Sequence, residues 1–544
     1  MGVRFIIAIS FFGVLYAALI FGLYNIQLEK GDYYSARAAS QNQPADLLES
    51  RRGKIYFTDR NGNLIPAALN KEFASIFAVP DEIADKEKAA EILSPIVEID
   101  AEKLLKMFGK KGDLYELLVK KAAAQQITAA KESGLGGIYV DGRMMRYYPM
   151  GNSASHLLGF VGASVDDEKT AGRYGIELFY DERLYGKVKG AVGDKITSAD
   201  YGEDVVLTVD RNLQDESEKI LAGLTEKFEA EGGTIIIEEP KTGKILAMAG
   251  NPDFDLNNYD KSSVKLFLNP ATQKIYEPGS VFKVITMAAG LDSGKITPDT
   301  AYYDNGKLTI NGRTIKNWDL KAHGKLTMTG VIEGSVNTGA VFAERRIGHA
   351  LFYDYLKKFG FEEKAGVDLP GELPGSLKNL KSNSRDINFA TASFGQGVSV
   401  TPLQLINAVA AIANGGVLMR PRVNASLEPT VIRRVVSAEA AGQTAKMMES
   451  AVEKAKIAAI PNYRVAGKTG TAQIPDFTKG GYSDSFIHTF VGFAPVSNPR
   501  FIILIKLDKP RATLAGMTVV PAFRELALFA LNYYGVSPDN LIID

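Results

Sequence analysis

No cysteine occurs among the 544 residues, which excludes disulfides, thiolate catalysis, iron–sulfur clusters and cysteine zinc sites together. Histidine is almost as scarce: His156, His323, His349 and His488 are the only four, so a multi-histidine metal site would consume nearly all of them. None lies in a recognisable catalytic-triad context, and no cofactor or metal is indicated. His156 and His488 read as structural, and the single Trp318 as a core residue. There is no surplus of charge, with 63 Lys plus Arg against 63 Asp plus Glu, so nothing points to nucleic acid. Internal repeats and long low-complexity linkers are absent too.

One long uncharged run is present. Phe5 to Leu28 carries no charged side chain and as a helix would span about 36 Å, enough for a bilayer core. A cleaved leader has an apolar stretch of only about 7 to 15 residues, so this run predicts an uncleaved anchor. Arg4 and the amino terminus favour a cytoplasmic start. With no second span of that length, the expectation is a single-pass protein of the cytoplasmic membrane with its catalytic part outside the cytoplasm.

The rest divides in two. Residues 29–203 read as an elongated amino-terminal unit, in which Asn61-Gly62 predicts a hairpin turn and about 71–134, rich in Ala, Lys and Glu, predicts a solvated helical insertion without chemistry. A second regime, 204–544, opens with Leu207 to Asp210 leading into a helix that Asp210 would cap. Thr234 to Ile237 and Ile245 to Met248 flank Pro240-Lys-Thr-Gly243 as a hairpin. Arg464 to Gln473, Phe486 to Phe493 and Phe501 to Leu507 read as successive antiparallel strands, and Pro521 and Gly535 bracket a last helix. Strands at both ends with helices between them predict an α+β domain around an antiparallel sheet.

The chemistry concentrates in three short motifs. In Glu277-Pro-Gly-Ser280-Val-Phe-Lys283, a turn delivers Ser280 to a helix start, where free N–H groups favour negative charge on its oxygen. Lys283 follows on the same face and is the only charge between Glu277 and Asp292 on an otherwise apolar helix, which implies burial and a depressed pKa. This pair reads as a nucleophile and its base. Ser335-Val-Asn337 follows a helical pattern from Met328 to Gly334; its hydroxyl and amide can relay a proton and bind a peptide backbone. Lys468-Thr469-Gly470-Thr471 lies within a strand: the lysine supplies positive charge, the threonines can bind a carboxylate, and glycine lets a substrate backbone approach. Further copies, Ser262 to Lys265, Ser40 to Asn42 and Lys241 to Gly243, lack this context and read as noncatalytic.

The ordered set resembles class B, monofunctional penicillin-binding proteins, over nearly the whole chain. It extends to Arg52-Gly53 with Asp59-Arg-Asn-Gly62, although the spacing between those two is longer than the family's. It includes Tyr148-Pro149 with His156 to Gly162, Gly175-Ile-Glu177 with Tyr180-Asp181 and Gly186, Leu369-Pro-Gly-Glu372, and Phe394-Gly-Gln-Gly397 before Val400 to Gln404.

The resemblance implies a penicillin-binding/serine β-lactamase-like transpeptidase domain on a pedestal, following a cytoplasmic start and transmembrane anchor at 1–28. It implies peptidoglycan cross-linking, with stem peptides as substrates and β-lactams as covalent inhibitors. Ser280 would form an acyl-enzyme with Lys283 as base, and Ser335, Asn337 and Lys468 would assist. Thr469 and Thr471 would face the terminal carboxylate, Gly470 would stay small, and the N–H groups of Ser280 and Thr471 would form the oxyanion hole. No glycosyltransferase motif is recognisable, so a SEDS-type membrane glycosyltransferase is the implied partner. A D,D-carboxypeptidase, a β-lactam hydrolase or sensor, and a catalytically silent scaffold are the alternatives.

Overall fold

Asp59 to Asn63 reverses the chain between β1 (Ile55–Thr58) and β2 (Leu64–Ala78), as Asn61-Gly62 predicts. The Asp59 carboxylate accepts the Asn61 and Asn63 N–H groups, and Gly62 takes φ 81°. The computed structural model describes residues 52–540 apart from 114, 164–169, 186–187, 193–194, 200, 382–383 and 477; before residue 52 it describes eight positions between 12 and 24. Among the described residues no helix is long and apolar enough to cross a membrane, and most of the run from Phe5 to Leu28 lies outside them.

After β2 come α1 (Lys86–Val97), α2 (Ala101–Phe108), β3 (Glu116–Val119), α3 (Ala124–Glu132) and β4 (Ile138–Tyr147). The stretch expected to be helical from residue 71 is therefore helical only from Lys86, and Glu116–Val119 interrupts it as a strand. Lys71–Ala78 completes β2, which pairs with β4 in register from Leu69–Tyr147 to Ala78–Ile138. Cross-strand pairing and burial of Ile76, Phe77 and Ala78 override the helical composition there. Nor is the insertion only solvated: Leu93, Leu104 and Phe108 form a small core of its own.

β5 (Val205–Asp210) lies parallel to β1, while the Thr208 N–H donates to the Val423 carbonyl at 2.7 Å. The strand at residue 204 is thus held by both halves of the chain. Asp210 then caps α4 (Arg211–Lys227), accepting the N–H groups of Asn212 and Leu213.

The carboxy-terminal half is built on β6 (Gly232–Glu239), β7 (Lys244–Asn251), α5 (Lys283–Asp292), β8 (Lys307–Ile310), β9 (Arg313–Lys316), α6 (Met328–Glu333), α7 (Asn337–Ile347), α8 (Pro402–Ala413) and α9 (Ala438–Ala455). It ends with β10 (Ala466–Pro475), β11 (Tyr482–Ala494), β12 (Phe501–Asp508) and α10 (Val519–Tyr534), which Gly535 terminates at φ 61°. One antiparallel sheet runs β7-β6-β12-β11-β10. Alternate residues face opposite layers. Ile236, Val491 and Leu504 pack with α5 and α8, whereas Ile235, Ile503 and Ile505 pack with α4 and α10. This α+β arrangement leaves β10 at the sheet edge, beside the start of α5.

Glu238 is an exception in the core: it is fully buried in β6 and neither carboxylate oxygen has a hydrogen-bond partner among the described residues. Burial pushes it up to about 8, so the folded protein keeps it protonated. The unfolded chain releases that proton near pH 4.5, so this group's contribution to stability is full below that pH and declines as pH rises toward 8. Glu238→Gln is expected to remove that decline, a gain of about 3 kcal/mol at pH 7. Thermal unfolding of both proteins at pH 5 and pH 8 checks this; parallel shifts would refute it.

Candidate active site

Gly279, at φ 57°, turns the chain into the serine segment, and its N–H donates to the Gly395 carbonyl at 3.1 Å. A tight helical turn over Gly279–Phe282 carries Ser280 and runs into α5, so the expected helix start is present with a 3₁₀ first turn. Lys283 is wholly buried, as the apolar helix predicts.

Its ammonium nitrogen lies 3.0 Å from Ser280 Oγ, 2.8 Å from Asn337 Oδ1, 2.5 Å from the Ser335 carbonyl and 3.2 Å from Ser335 Oγ. Ser335 occupies the left-handed region at φ 52° in the corner between α6 and α7, where strain is tolerated because both helices fix its neighbours. From β10, the Lys468 amine donates to Ser335 Oγ at 2.9 Å. Ser280, Lys283, Ser335, Asn337 and Lys468 are therefore one hydrogen-bonded group assembled from three separate segments.

Burial first, and the Lys468 charge second, draw Lys283 well below its ordinary 10.5. Burial takes Lys468 down to about 7. A neutral amine beside a hydroxyl can accept its proton, and the Ser335 hydroxyl bridges that amine to a second one.

A cleft of about 770 Å³ opens over this group, lined by Ser280, Ser335, Asn337, Lys468, Thr469 and Thr471. Thr471 Oγ1 accepts the Ala515 N–H at 3.3 Å. Gly470 faces inward instead: a Cβ there would meet the Pro278 carbonyl at 2.8 Å and Val281 Cγ2 at 3.2 Å. It thereby permits a close approach between β10 and the serine turn.

Trp318 departs from expectation. It is 56% exposed at the cleft wall, with its indole N–H donating to the Gly334 carbonyl at 3.0 Å. His156 and His488 are buried, His488 Nδ1 lying 2.9 Å from Thr518 Oγ1, and burial lowers both to about 4. Lys241 is exposed on its hairpin and donates to Asn498, Lys265 is exposed, and Ser40 to Asn42 fall outside the described residues. Asp304, Asn317 and Thr338, which brace the Ser335 corner, carried no sequence signal: polar residues of common type, they meet only in three dimensions.

A serine, two buried amines and a bridging hydroxyl at the edge of an antiparallel sheet define the class of serine acyl-transfer proteins that use lysine as base. A family model, Penicillin binding protein transpeptidase domain, matches residues 233–527, and another, Penicillin-binding Protein dimerisation domain, matches residues 47–214. The chain belongs to the penicillin-binding protein transpeptidase family.

Among its relatives, Stage V sporulation protein D of Bacillus subtilis is 33% identical over 92% of this chain and 80% of that protein. Probable peptidoglycan D,D-transpeptidase PenA of Neisseria meningitidis is 29% identical over 98% of this chain and 92% of that one. The crystal structure of a peptidoglycan synthetase from Bifidobacterium adolescentis superimposes with a TM-score of 0.68 at 27% identity, covering 91% of this chain and 97% of that structure.

Proposed function

We propose that this protein is a peptidoglycan D,D-transpeptidase that joins stem peptides through an ester on Ser280. The observation that carries the reading is the contact between Lys283 Nζ and Ser280 Oγ at 3.0 Å inside a buried, hydrogen-bonded group at the floor of a cleft.

Ser280 Oγ attacks the carbonyl carbon between two terminal D-alanines, and its proton passes to Lys283. The proton continues through Ser335 Oγ to the departing nitrogen, the C–N bond breaks, and terminal D-alanine leaves. The amine of a neighbouring stem peptide then attacks the ester, gives up a proton along the same route and restores the Ser280 hydroxyl. Asn337 holds the substrate amide, and Lys468 with Thr469 and Thr471 receives the terminal carboxylate. The N–H groups of Ser280 and Thr471 stabilise the tetrahedral oxyanion, an interaction whose loss costs about 100- to 1,000-fold in rate. Gly470 lets the strand that carries this hole lie against the serine turn.

Transfer to an amine rather than hydrolysis is consistent with the engagement of Glu333, the carboxylate among the described residues lining the cleft, by other side chains. It accepts from Ser450 at 2.6 Å and Lys454 at 2.8 Å. Those partners outweigh burial and hold it below its ordinary value, so both of its oxygens are engaged away from Ser280.

β-Lactams acylate the same serine. After labelling with a penicillin, peptide mass spectrometry is expected to place the adduct on the tryptic peptide Ile275–Lys283, which contains Ser280. An adduct elsewhere, or none, would reject the reading, and rapid turnover of the drug would favour a hydrolase.

Residues 1–28 then supply the cytoplasmic start and single-pass anchor, 29–203 the pedestal and 204–544 the extracytoplasmic catalytic region. A SEDS-type membrane glycosyltransferase is the partner that supplies glycan strands. Co-purification of the two is expected to be lost when residues 5–28 are exchanged for an unrelated span; retention would remove the anchor from the interface.

A further inference from the structure

A neutral lysine amine has two N–H groups and one lone pair. Around Lys283, two neighbours are acceptors only: the Ser335 carbonyl at 2.5 Å and Asn337 Oδ1 at 2.8 Å. If they take the two N–H groups, the lone pair is left to the two hydroxyls, Ser280 Oγ at 3.0 Å, from which the proton must come, and Ser335 Oγ at 3.2 Å, to which it passes on. This depends on which end of the Asn337 amide faces Lys283. A reversed amide would offer its NH₂ to the lone pair and compete with Ser280.

The orientation is set from outside the motif. Asn337 Nδ2 donates to the Lys316 carbonyl at 2.8 Å, so reversal would press the amide oxygen against that carbonyl oxygen. Lys316 is in turn held by its neighbour. Asn317 Nδ2 donates to Asp304 Oδ2 at 2.8 Å and to the Lys321 carbonyl at 3.0 Å, and its Oδ1 accepts the Thr338 N–H at 3.3 Å. Asp304 is almost completely buried and also accepts the Thr338 hydroxyl at 2.7 Å and the N–H groups of Gly306 and His323, each at 2.9 Å. Trp318 completes the clasp through the Gly334 carbonyl, one residue before Ser335. Three consecutive residues at the end of β9, Lys316 to Trp318, thus grip three positions of the serine–asparagine corner, and Asp304 anchors them.

We infer that Asp304 and Thr338 are positioning residues that hold the Lys316 carbonyl against Asn337 and so aim the Lys283 lone pair at Ser280. The inference rests on the transpeptidase reading and deepens it. A carboxylate is needed at residue 304 because four donors converge on it; an amide there would turn its own NH₂ toward some of them.

The test is stopped-flow acylation by a fluorescent penicillin, resolving the noncovalent binding constant from the acylation rate constant, in wild type, Asp304→Asn, Thr338→Val and Thr338→Ser. The first two variants are expected to acylate about 10- to 100-fold more slowly with binding unchanged, and Thr338→Ser, which keeps the hydroxyl, to match wild type. Thermal unfolding identifies the folded variants, and the Thr338 pair carries the comparison if Asp304→Asn does not fold. Wild-type acylation in folded Asp304→Asn and Thr338→Val, equal losses in Thr338→Val and Thr338→Ser, or a loss confined to binding would each overturn the positioning role alone. A wild-type protein that forms no adduct would overturn the transpeptidase reading with it.

Discussion

Lys283→Met is expected to slow acylation by labelled penicillin about 100- to 10,000-fold without lowering the unfolding temperature. Methionine is unbranched and close to lysine in length, so the fully buried site stays filled. The substitution also relieves the desolvation of an amine, while the oxygens it leaves unpaired border a cleft from which water can hydrate them. Catalysis has no such replacement, because no other neutral base lies within hydrogen-bonding distance of Ser280 Oγ among the described residues.

The same experiment run against pH separates the two lysines. Burial and the Lys468 charge draw Lys283 well below its ordinary value, which favours the neutral amine. Lys468 must be cationic to attract a carboxylate, and its charge disappears as pH rises through about 7 in the free protein. Acylation efficiency is therefore expected to decline above that pH, and Lys468→Arg, whose side chain keeps its charge, is expected to flatten the decline. A decline unchanged by arginine would assign it to another group.

How far such a site can be read from sequence depends on the distance along the chain over which each contact forms. Ser280 and Lys283 are one helical turn apart, so local geometry alone puts them on one face, and the apolar surroundings of Lys283 give its burial. The strands around Lys468 announce themselves by hydrophobic runs and short connections, and they occupy the expected order in the sheet. The meeting of Lys468 with Ser335, 133 residues away, followed only from the ordered set of motifs.

Asp304 and Asn317 belong to no motif, and their value comes from where the strand Ala301–Asp304 and the end of β9 place them. Trp318 misleads for a related reason: a large indole is ordinarily buried, but here its N–H is needed at the exposed corner beside Ser335. Lys71–Ala78 has helix-forming composition, yet eight paired positions along β4 decide its state.

Glu177→Ala is expected to destabilise the protein by about 3–5 kcal/mol while sparing acylation at temperatures where it remains folded. Glu177 is completely buried, and it accepts from Arg52 at 2.8 and 2.7 Å and from Arg146 at 2.6 Å. The Tyr148 hydroxyl reaches it at 3.3 Å. Arg52 also bonds Asp181 at 2.8 Å, and Arg146 donates to the Gly53 carbonyl at 2.8 Å, so one carboxylate gathers three distant stretches of the amino-terminal half. Deleting it strands the buried Arg146 guanidinium and leaves Arg52 with Asp181 as its one carboxylate, and the penalty comes from those under-compensated charges rather than from any large intrinsic worth of the ion pairs.

Burial alone would raise Glu177, but Arg146 and Arg52 hold it below 4.5. Its contribution to stability is therefore present above pH 4.5 and is lost as pH falls through the lower folded value. Glu177→Gln, which keeps the shape but not the charge, should lose that acid dependence. The stability half of the prediction would be abandoned if Glu177→Ala melted with wild type. Slowed acylation in the folded variant would instead reveal coupling from this network to Ser280, for which the hydrogen-bond path is long. One route into the carboxy-terminal half runs from Tyr148 to Asn257, and another from Tyr180, whose hydroxyl donates to Asp368, to the Val423 and Asn424 N–H groups that Asp368 accepts.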